Sequence, residues 1–161
     1  MLLKDNFEKS VLMIREGIIM IKIAVVYWSG TGNTKEMANH VLKGAEEAGA
    51  KAKLFTASEF EKEDINNYDA FAFGCPSMGT EKLESTEFEP MFRSISDKLK
   101  GRKAALFGSY SWGKGEWMKK WEKVCRKAGA VLVTDSVIGY DALDIDTKRK
   151  CEALGAALKL Y

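Results

Sequence analysis

Residues 22–34 read Lys-Ile-Ala-Val-Val-Tyr-Trp-Ser-Gly-Thr-Gly-Asn-Thr, and this stretch decides the fold. After the first lysine it is continuously apolar up to the loop, which is typical of a strand that a parallel sheet buries on both faces. Its second half holds two glycines, which mark a tight loop. From Thr34 to Ala48 apolar residues recur at helical spacing, with Met37 and Val41 on one face. The stretch therefore predicts a strand, a loop and a helix in succession.

The rest of the chain repeats this alternation of apolar runs and amphipathic stretches, which indicates strands joined by crossover helices in a parallel sheet. The strands are predicted at Lys22–Trp28, Ala52–Thr56, Ala70–Gly74, Ala104–Ser109 and Ala130–Thr134. The helices are predicted at Thr34–Ala48, Phe88–Leu99, Gly115–Ala128 and Asp146–Leu160. Ligands of such sheets bind beyond the carboxyl ends of the strands, where the strand order reverses. We therefore expect the function to reside in the loops after strands one, three and four.

The composition fits one globular domain, because 161 residues, 46% of them apolar, are enough for a single core. Basic and acidic residues nearly balance, at 25 and 23, so no strong field of one sign predicts binding to nucleic acid or to an anionic membrane. The cysteines Cys75, Cys125 and Cys151 show neither a disulfide framework nor a zinc pattern. We expect buried or idle thiols in a reducing cytoplasm.

The first 19 residues precede the pattern and carry charges such as Lys4 and Arg15 between short apolar runs. These charges leave no stretch long enough for a signal sequence or a membrane span, so a soluble protein is expected. Because Met20 stands directly before the first strand, residues 1–19 are predicted to be an N-terminal arm or the product of an upstream start. Residues 20–161 form the predicted domain.

The loop Ser29-Gly30-Thr31-Gly32-Asn33-Thr34 has the features of an anion site. It opens a helix, so its backbone N–H groups and the positive end of the helix dipole converge. Its hydroxyl and amide side chains add donors for phosphate oxygens, and its glycines let the backbone wrap closely. The motif GxxxxGK[ST] is absent, and Lys35 stands where GxGxxG needs its third glycine. The alternative is a tight turn in which Asn33 or Thr34 only caps the helix.

Residues 27–34, Tyr-Trp-Ser-Gly-Thr-Gly-Asn-Thr, resemble the phosphate-binding signature of the flavodoxins, above all of the short-chain flavodoxins. The resemblance runs from about Met20 to the C-terminus. It implies a flavodoxin-like doubly wound α/β fold, in which a five-stranded parallel sheet of order 2-1-3-4-5 is the middle of an α/β/α sandwich. It also implies a monomer that carries low-potential electrons on non-covalently bound FMN, between a donor reductase and an acceptor enzyme. The phosphate contacts would come from Ser29, Gly30, Thr31, Gly32, Asn33 and Thr34.

The loop after the third predicted strand resembles the family loop on the inner face of the flavin. The implied contacts come from Pro76, Ser77, Met78, Gly79, Thr80 and Glu81. The thioether of Met78 would pack against the ring, unless Met78 is ordinary core. By resemblance, the Gly79 carbonyl turns toward flavin N5 when that nitrogen gains a hydrogen, and Glu81 pairs with N3–H. The alternative for Glu81 is a solvated loop charge.

Thr80 is β-branched and resists the positive φ that a type II turn requires at its third residue. If the turn of the reduced protein is type II, Thr80 costs it on the order of 1 kcal/mol. We therefore expect Thr80 to disfavour the one-electron-reduced state relative to glycine at the same position.

The loop after the fourth predicted strand resembles the family loop that covers the outer face of the flavin. The implied contacts come from Gly108, Ser109, Tyr110, Ser111, Trp112 and Gly113. Trp112 would stack on the ring, worth about 0.5–1.5 kcal/mol beyond burial, and would disfavour the electron-rich reduced flavin. Trp117 and Trp121 are predicted to be core or lid residues, and Trp28 to shield the phosphate. His40 is expected at the surface or in packing.

The chain shows no Ser/His/Asp set, no paired carboxylates and no metal-ligand cluster, so we expect an electron carrier without catalytic residues or a metal. The alternatives are a flavodoxin-like FMN-dependent NAD(P)H:quinone reductase and a flavin-free interaction module. Two features depart from the family. Flavodoxins are generally strongly acidic, whereas this chain is formally +2. Residues 139–144 also differ from the family loop after strand five, so no flavin contact is transferred to them.

Overall fold

The structure, a computed structural model, describes Lys4, Glu8 and residues 20–161. The predicted N-terminal arm, residues 1–19, lies outside the described residues apart from Lys4 and Glu8. Its role as an arm or as the product of an upstream start therefore stays a prediction.

Within residues 20–161, six parallel strands form one sheet, and helices pack on both of its faces. The strands are β1 (Lys22–Tyr27), β2 (Lys51–Thr56), β3 (Ala70–Gly74), β4 (Lys103–Tyr110), β5 (Val131–Leu132) and β6 (Val137–Tyr140). The α-helices of residues 20–161 are α1 (Asn33–Glu47), α2 (Phe88–Ile95), α3 (Glu116–Lys127) and α4 (Ile145–Leu160), and short 3-10 helices span Lys62–Asn67 and Ser96–Lys98. The strand order β2-β1-β3-β4-β5 confirms the predicted doubly wound topology.

The edge of the sheet beside β4 differs from the prediction of a single strand at Ala130–Thr134. β5 pairs with the start of β4, and β6 pairs separately with its last four residues, so that Tyr140 lies opposite Tyr110. The assignment of residues 139–140 to a loop is therefore wrong. The sequence pattern does not reveal β6, because polar residues separate it from β5 and a glycine lies inside it. As an edge strand, β6 also buries only alternate residues.

The core consists of two clusters, one on each face of the sheet. Alternate residues of β1 enter different clusters, Ala24 and Val26 on one face and Ile23 and Val25 on the other. The first cluster is rich in aromatic side chains from α2 and α3, whose rings pack edge to face. Trp117 and Trp121, each 2% exposed, belong to this cluster, which confirms their prediction as core residues.

Helices α1 and α4 cross with their backbones in contact on the second face. A Cβ on Gly44 would lie 1.9 Å from the carbonyl oxygen of Glu152, and a Cβ on Gly155 would lie 2.0 Å from that of Val41. Only glycine therefore permits this approach. Beside the crossing, Nδ1 of His40 lies 3.0 Å from the Glu152 carboxylate, which agrees with a packing role for this histidine.

The cysteines are free and fully buried. Burial raises the pKa of Cys125 and of Cys151 to about 12 and raises the pKa of Cys75 further still. Because the thiolate is the reactive form, these thiols are inert at neutral pH, as predicted. Within the described part of the chain, no helix is long and apolar enough to cross a membrane.

Candidate functional site

One cleft lies at the carboxyl ends of β1, β3 and β4, and all three predicted loops contribute to it. Its volume is about 340 Å³, within the range of small-molecule sites. It is lined by Trp28, Gly30, Thr31, Asn33, Pro76, Ser77, Met78, Ser109, Tyr110, Ser111, Trp112 and Asp141. The loops therefore meet where the strand order reverses, as the topology predicts.

The loop after β1 presents unpaired backbone donors at the start of α1. The Ser29 hydroxyl accepts hydrogen bonds from the N–H groups of Gly32 and Lys35, both at 3.2 Å, and Gly32 has a φ of +105°. Among the described residues, the N–H groups of Asn33 and Thr34 have no acceptor. Neither the Asn33 nor the Thr34 side chain caps the helix, and the hydroxyl of Ser29 instead accepts from the Lys35 N–H in its first turn. The free donors and the helix dipole favour an anion here.

Thr34 is turned away from the cleft. Its hydroxyl is buried and lies 2.7 Å from the hydroxyl of Ser109 at the end of β4. The same hydroxyl accepts a longer hydrogen bond, of 3.4 Å, from the Ser109 N–H. The Thr34 side chain thus fastens the start of α1 to β4, and only its backbone N–H is available to a ligand.

The loop after β3 forms a hairpin that is closed by two backbone hydrogen bonds of 2.8 Å between Met78 and Lys82. Inside it, Gly79 has a φ of +53° and Glu81 a φ of +51°. Thr80 is not among the residues with positive φ. In this conformation of the hairpin, the non-glycine residue with a left-handed backbone is therefore Glu81 and not Thr80. The predicted cost at Thr80 concerns the other turn, in which the Gly79 carbonyl faces a flavin.

Glu81 does not line the cleft but joins two of its loops. Its carboxylate accepts a hydrogen bond of 2.9 Å from the N–H of Glu116, the first residue of α3. A negative charge at this end of a helix is favourable because of the helix dipole. The Glu81 side chain also packs so closely on Gly113 that a Cβ there would lie 2.5 Å from it. Glu81 is thus neither a solvated loop charge nor free in this structure.

Trp112 is 47% exposed and links the same two loops. Its indole N–H donates a hydrogen bond of 3.0 Å to the carbonyl oxygen of Gly79. This is the carbonyl that the family resemblance directs toward flavin N5. Met78 and Trp112 line one cleft from separate loops, as expected of residues that enclose a flat ring between them.

Ser77 carries a buried polar atom without a partner. Ser77 lines the cleft and is 3% exposed, and its buried hydroxyl has no hydrogen-bond partner among residues 20–161. The backbone N–H of Ser77 donates to the carbonyl of Ser109, which holds the residue in place. Because buried hydroxyls are normally hydrogen-bonded, a ligand with a polar edge would complete this part of the cleft. The residues present therefore fit FMN: the free donors at α1 suit a phosphate, and the other two loops offer the surfaces that a flat ring needs.

The structure adds two residues to the predicted site. Trp28 belongs to the motif in the first loop, and its ring lies about 3.1 Å from where a Cβ on Gly30 would be, so it covers this loop. Asp141 follows β6, has a φ of +49° and donates its N–H to the Tyr110 carbonyl. The predicted residues that do not line the cleft are Ser29, Gly32, Thr34, Gly79, Thr80, Glu81, Gly108 and Gly113. Of these, Gly108 packs against the Cys75 carbonyl, which leaves no room for a side chain.

A buried carboxylate, Glu84, fixes the segment between the hairpin and α2. It is 4% exposed and accepts hydrogen bonds from the N–H and hydroxyl groups of Thr86 and from the N–H groups of Glu87 and Phe88. Burial alone raises the pKa of Glu84, but these hydrogen bonds outweigh it, so the pKa lies below its usual value of 4.5. Sequence reasoning missed Glu84 because its partners are set by the folded loop.

Comparison with known proteins relates this cleft to one family. The sequence model described as Flavodoxin matches residues 25–159. The flavodoxin of Megasphaera elsdenii is 38% identical over 135 residues, which are 84% of this chain and 96% of that protein. The flavodoxin of Clostridium beijerinckii is 40% identical over 131 residues, which are 81% of this chain and 94% of that protein.

Solved structures show the same relationship. The solution structure of two-electron-reduced Megasphaera elsdenii flavodoxin superimposes with a TM-score of 0.80 and covers 86% of this chain and 99% of that one. The described residues contain no group of three or more side chains arranged to hold a metal ion.

Proposed function

The chain belongs to the flavodoxin family, and from this premise we propose which of its residues bind the cofactor and which kind of partner it serves. It is an electron-transfer protein that binds FMN, and it is a carrier rather than an enzyme. FMN, when bound, supplies the redox chemistry, and the protein supplies binding and tuning. The reductase alternative is not favoured.

The phosphate of FMN binds in the loop after β1. The N–H groups of Asn33 and Thr34, which lack acceptors among the described residues, carry this proposal. Thr31 and Asn33 line the cleft, and their side chains supply neutral donors to the phosphate. The positive end of α1 then stabilises the phosphate charge without a basic side chain.

The ring of FMN binds between Met78 and Trp112. The aromatic face of Trp112 and the thioether of Met78 exclude water from it. The hydroxyl of Ser77, which has no partner among the described residues, supports a polar contact with the ring once its side chain turns toward the cleft. Tyr110 and Asp141 close the cleft on the side of β6.

The Gly79 carbonyl points toward the indole of Trp112 in this structure, so the turn has to change before this carbonyl faces the ring. Glycine at this position keeps the cost of the turn low, because its φ is free. Glu81 either keeps its bond to the N–H of Glu116 or exchanges it for the pyrimidine edge of the ring.

The test compares FMN with riboflavin, which lacks the phosphate. Two charge-assisted hydrogen bonds are worth about 1.5–3 kcal/mol each, so FMN is expected to bind at least a hundredfold more tightly. The measurement is a fluorescence titration of the apoprotein with each flavin. A Ser77→Ala variant serves as a control, because it weakens both flavins equally. Equal affinity for FMN and riboflavin in the unchanged protein would refute the phosphate site.

The partners are proteins that donate and accept electrons in transient complexes, and the protein itself acts as a monomer in the cytoplasm. The buried free thiols fit a reducing compartment. Reduction of the bound FMN by NADPH only after a partner reductase is added supports this assignment. Direct turnover of NADPH with a quinone contradicts it.

A further inference from the structure

A second groove lies between α2 and α3, beside the cofactor cleft. It has a volume of about 480 Å³ and is lined in part by Lys82, Leu83, Lys120 and Val124. We propose that this groove is the docking surface for a redox partner whose contact face is acidic. The proposal rests on the proposed function, because it identifies the partner that exchanges electrons with the cofactor.

The floor of the groove is apolar. Trp117 and Trp121 form it from within the core, and Leu83 packs against the same cluster. Val124 lies on α3 and is 52% exposed, which leaves an aliphatic side chain in solvent beside the floor. An apolar centre with a charged rim is the usual arrangement of a protein interface.

The rim carries a net excess of basic side chains: Lys82, Arg93 and Lys120 line the groove with Glu81 and Glu89, and Arg93 pairs with Glu89. Helix α3 carries five basic residues and two acidic residues, whereas α1 on the opposite face carries two lysines and three glutamates. Lys119 and Arg126 pair with the two glutamates of α3. Lys120 lines the groove, and Lys123 lies about one turn further along α3, outside the lining. Both are exposed and form no ion pair with any residue that the structure describes, so their charges are available to a partner.

The groove is also placed to deliver electrons to the cofactor. Glu81 lines the groove and belongs to the hairpin that starts at Met78 in the cofactor cleft. Trp117 forms the floor of the groove and donates its indole N–H to the carbonyl of Cys75, directly before the loop that contains Ser77. A partner seated in the groove therefore stands one hairpin away from the cleft.

Charge complementarity then determines the partner. Opposite charges across an interface raise the association rate, and the effect weakens with salt. The unpaired lysines favour a partner with exposed carboxylates and repel a basic one. The charges of the two partners are then the reverse of those expected for most flavodoxins, whose strongly acidic character suits a basic partner.

The experiment measures electron transfer to the full FMN-loaded chain in a stopped-flow instrument. The acidic probe is a reduced plant-type [2Fe–2S] ferredoxin, and the rate constant is followed against ionic strength. We expect the rate to fall with salt, and Lys120→Glu combined with Lys123→Glu to lower it about tenfold at low salt. Val124→Ser, which keeps the charge, is expected to lower it severalfold.

The control variant is Lys51→Glu combined with Lys103→Glu. These lysines are exposed at the amino ends of β2 and β4, at the end of the sheet opposite the cleft, and they change the net charge equally. We expect less than about a twofold change from this pair, because distant charges are screened. Equal effects of the two double variants, or no effect of either, would overturn the docking surface.

The visible spectrum of each variant is recorded first and reports its FMN content. If the protein without substitutions binds no FMN, the proposed function is refuted, whatever the rates of the lysine variants. FMN-loaded variants with unaltered rates refute only the docking surface.

Discussion

Replacing Trp112 by phenylalanine tests whether the hydrogen bond from its indole to the Gly79 carbonyl opposes FMN binding. The bond is 3.0 Å long and joins the two loops that must enclose the ring. Phenylalanine removes the N–H donor but keeps an aromatic face for stacking. If the bond must break before FMN enters, its loss lowers the barrier to association.

The size of the effect follows from the bond itself. A neutral hydrogen bond contributes a net of about 0.5–1.5 kcal/mol to stability, which corresponds to an acceleration of between about twofold and about tenfold. Because Trp112 is 47% exposed, water competes for both groups and the lower part of this range is expected. Trp112→Ala removes the donor and the stacking surface, so FMN should also dissociate faster from that variant.

The assay mixes apoprotein with FMN in a stopped-flow fluorimeter and follows the quenching of flavin fluorescence. Trp28→Phe is the matched control, because Trp28 lines the same cleft and its indole donates to no residue within 20–161. We expect association to be faster for Trp112→Phe and unaltered for Trp28→Phe. An association rate for Trp112→Phe that equals or falls below that of the unchanged protein would falsify the reasoning.

Three further predictions concern stability and redox behaviour. Gly44→Ala places a Cβ 1.9 Å from the Glu152 carbonyl, so it should lower the free energy of unfolding in urea by about 1–3 kcal/mol, whereas an alanine in place of the exposed Lys35 should change it little. Glu84→Gln should lower the free energy of unfolding most at neutral pH. Since the folded-state pKa of Glu84 is lowered from 4.5, the difference in stability between the variant and the unchanged protein should shrink as the pH falls below that value. A difference in stability that does not depend on pH would contradict the role of the charge. Thr80→Gly should increase the one-electron-reduced fraction in an anaerobic redox titration, and an unchanged fraction would count against the expected cost of threonine in that turn.

The sequence predicted the fold well where local pattern and topology agree. The apolar run of β1, the glycine-containing loop and the periodicity of α1 point to the same arrangement, and the structure confirms it within a residue or two at each end. Topology then predicted that three loops meet at one edge of the sheet, and they do. Local pattern failed at the fifth strand, because β6 is an edge strand with a glycine and exposed side chains.

The individual roles of site residues were less predictable, because they depend on partners far away in the sequence. Thr34 looks like a phosphate ligand in its motif, yet its hydroxyl bonds to Ser109. Glu81 lies in the expected loop, but its carboxylate reaches the start of α3. Asp141 was missed because its place in the cleft follows from the pairing of β6 with β4. Hydrogen bonds between distant segments leave no periodic signal in a sequence.

The hydrogen bond between the hydroxyls of Thr34 and Ser109 has a consequence for the rate of electron transfer. It fastens the phosphate loop to the central sheet, so these two parts of the site are joined before any cofactor arrives. One side-chain hydrogen bond joins the hairpin around Gly79 to Trp112, and we expect the adjustment to the cofactor there. When an electron arrives or leaves, few atoms need to shift, and a small nuclear rearrangement keeps the intrinsic barrier of each transfer low.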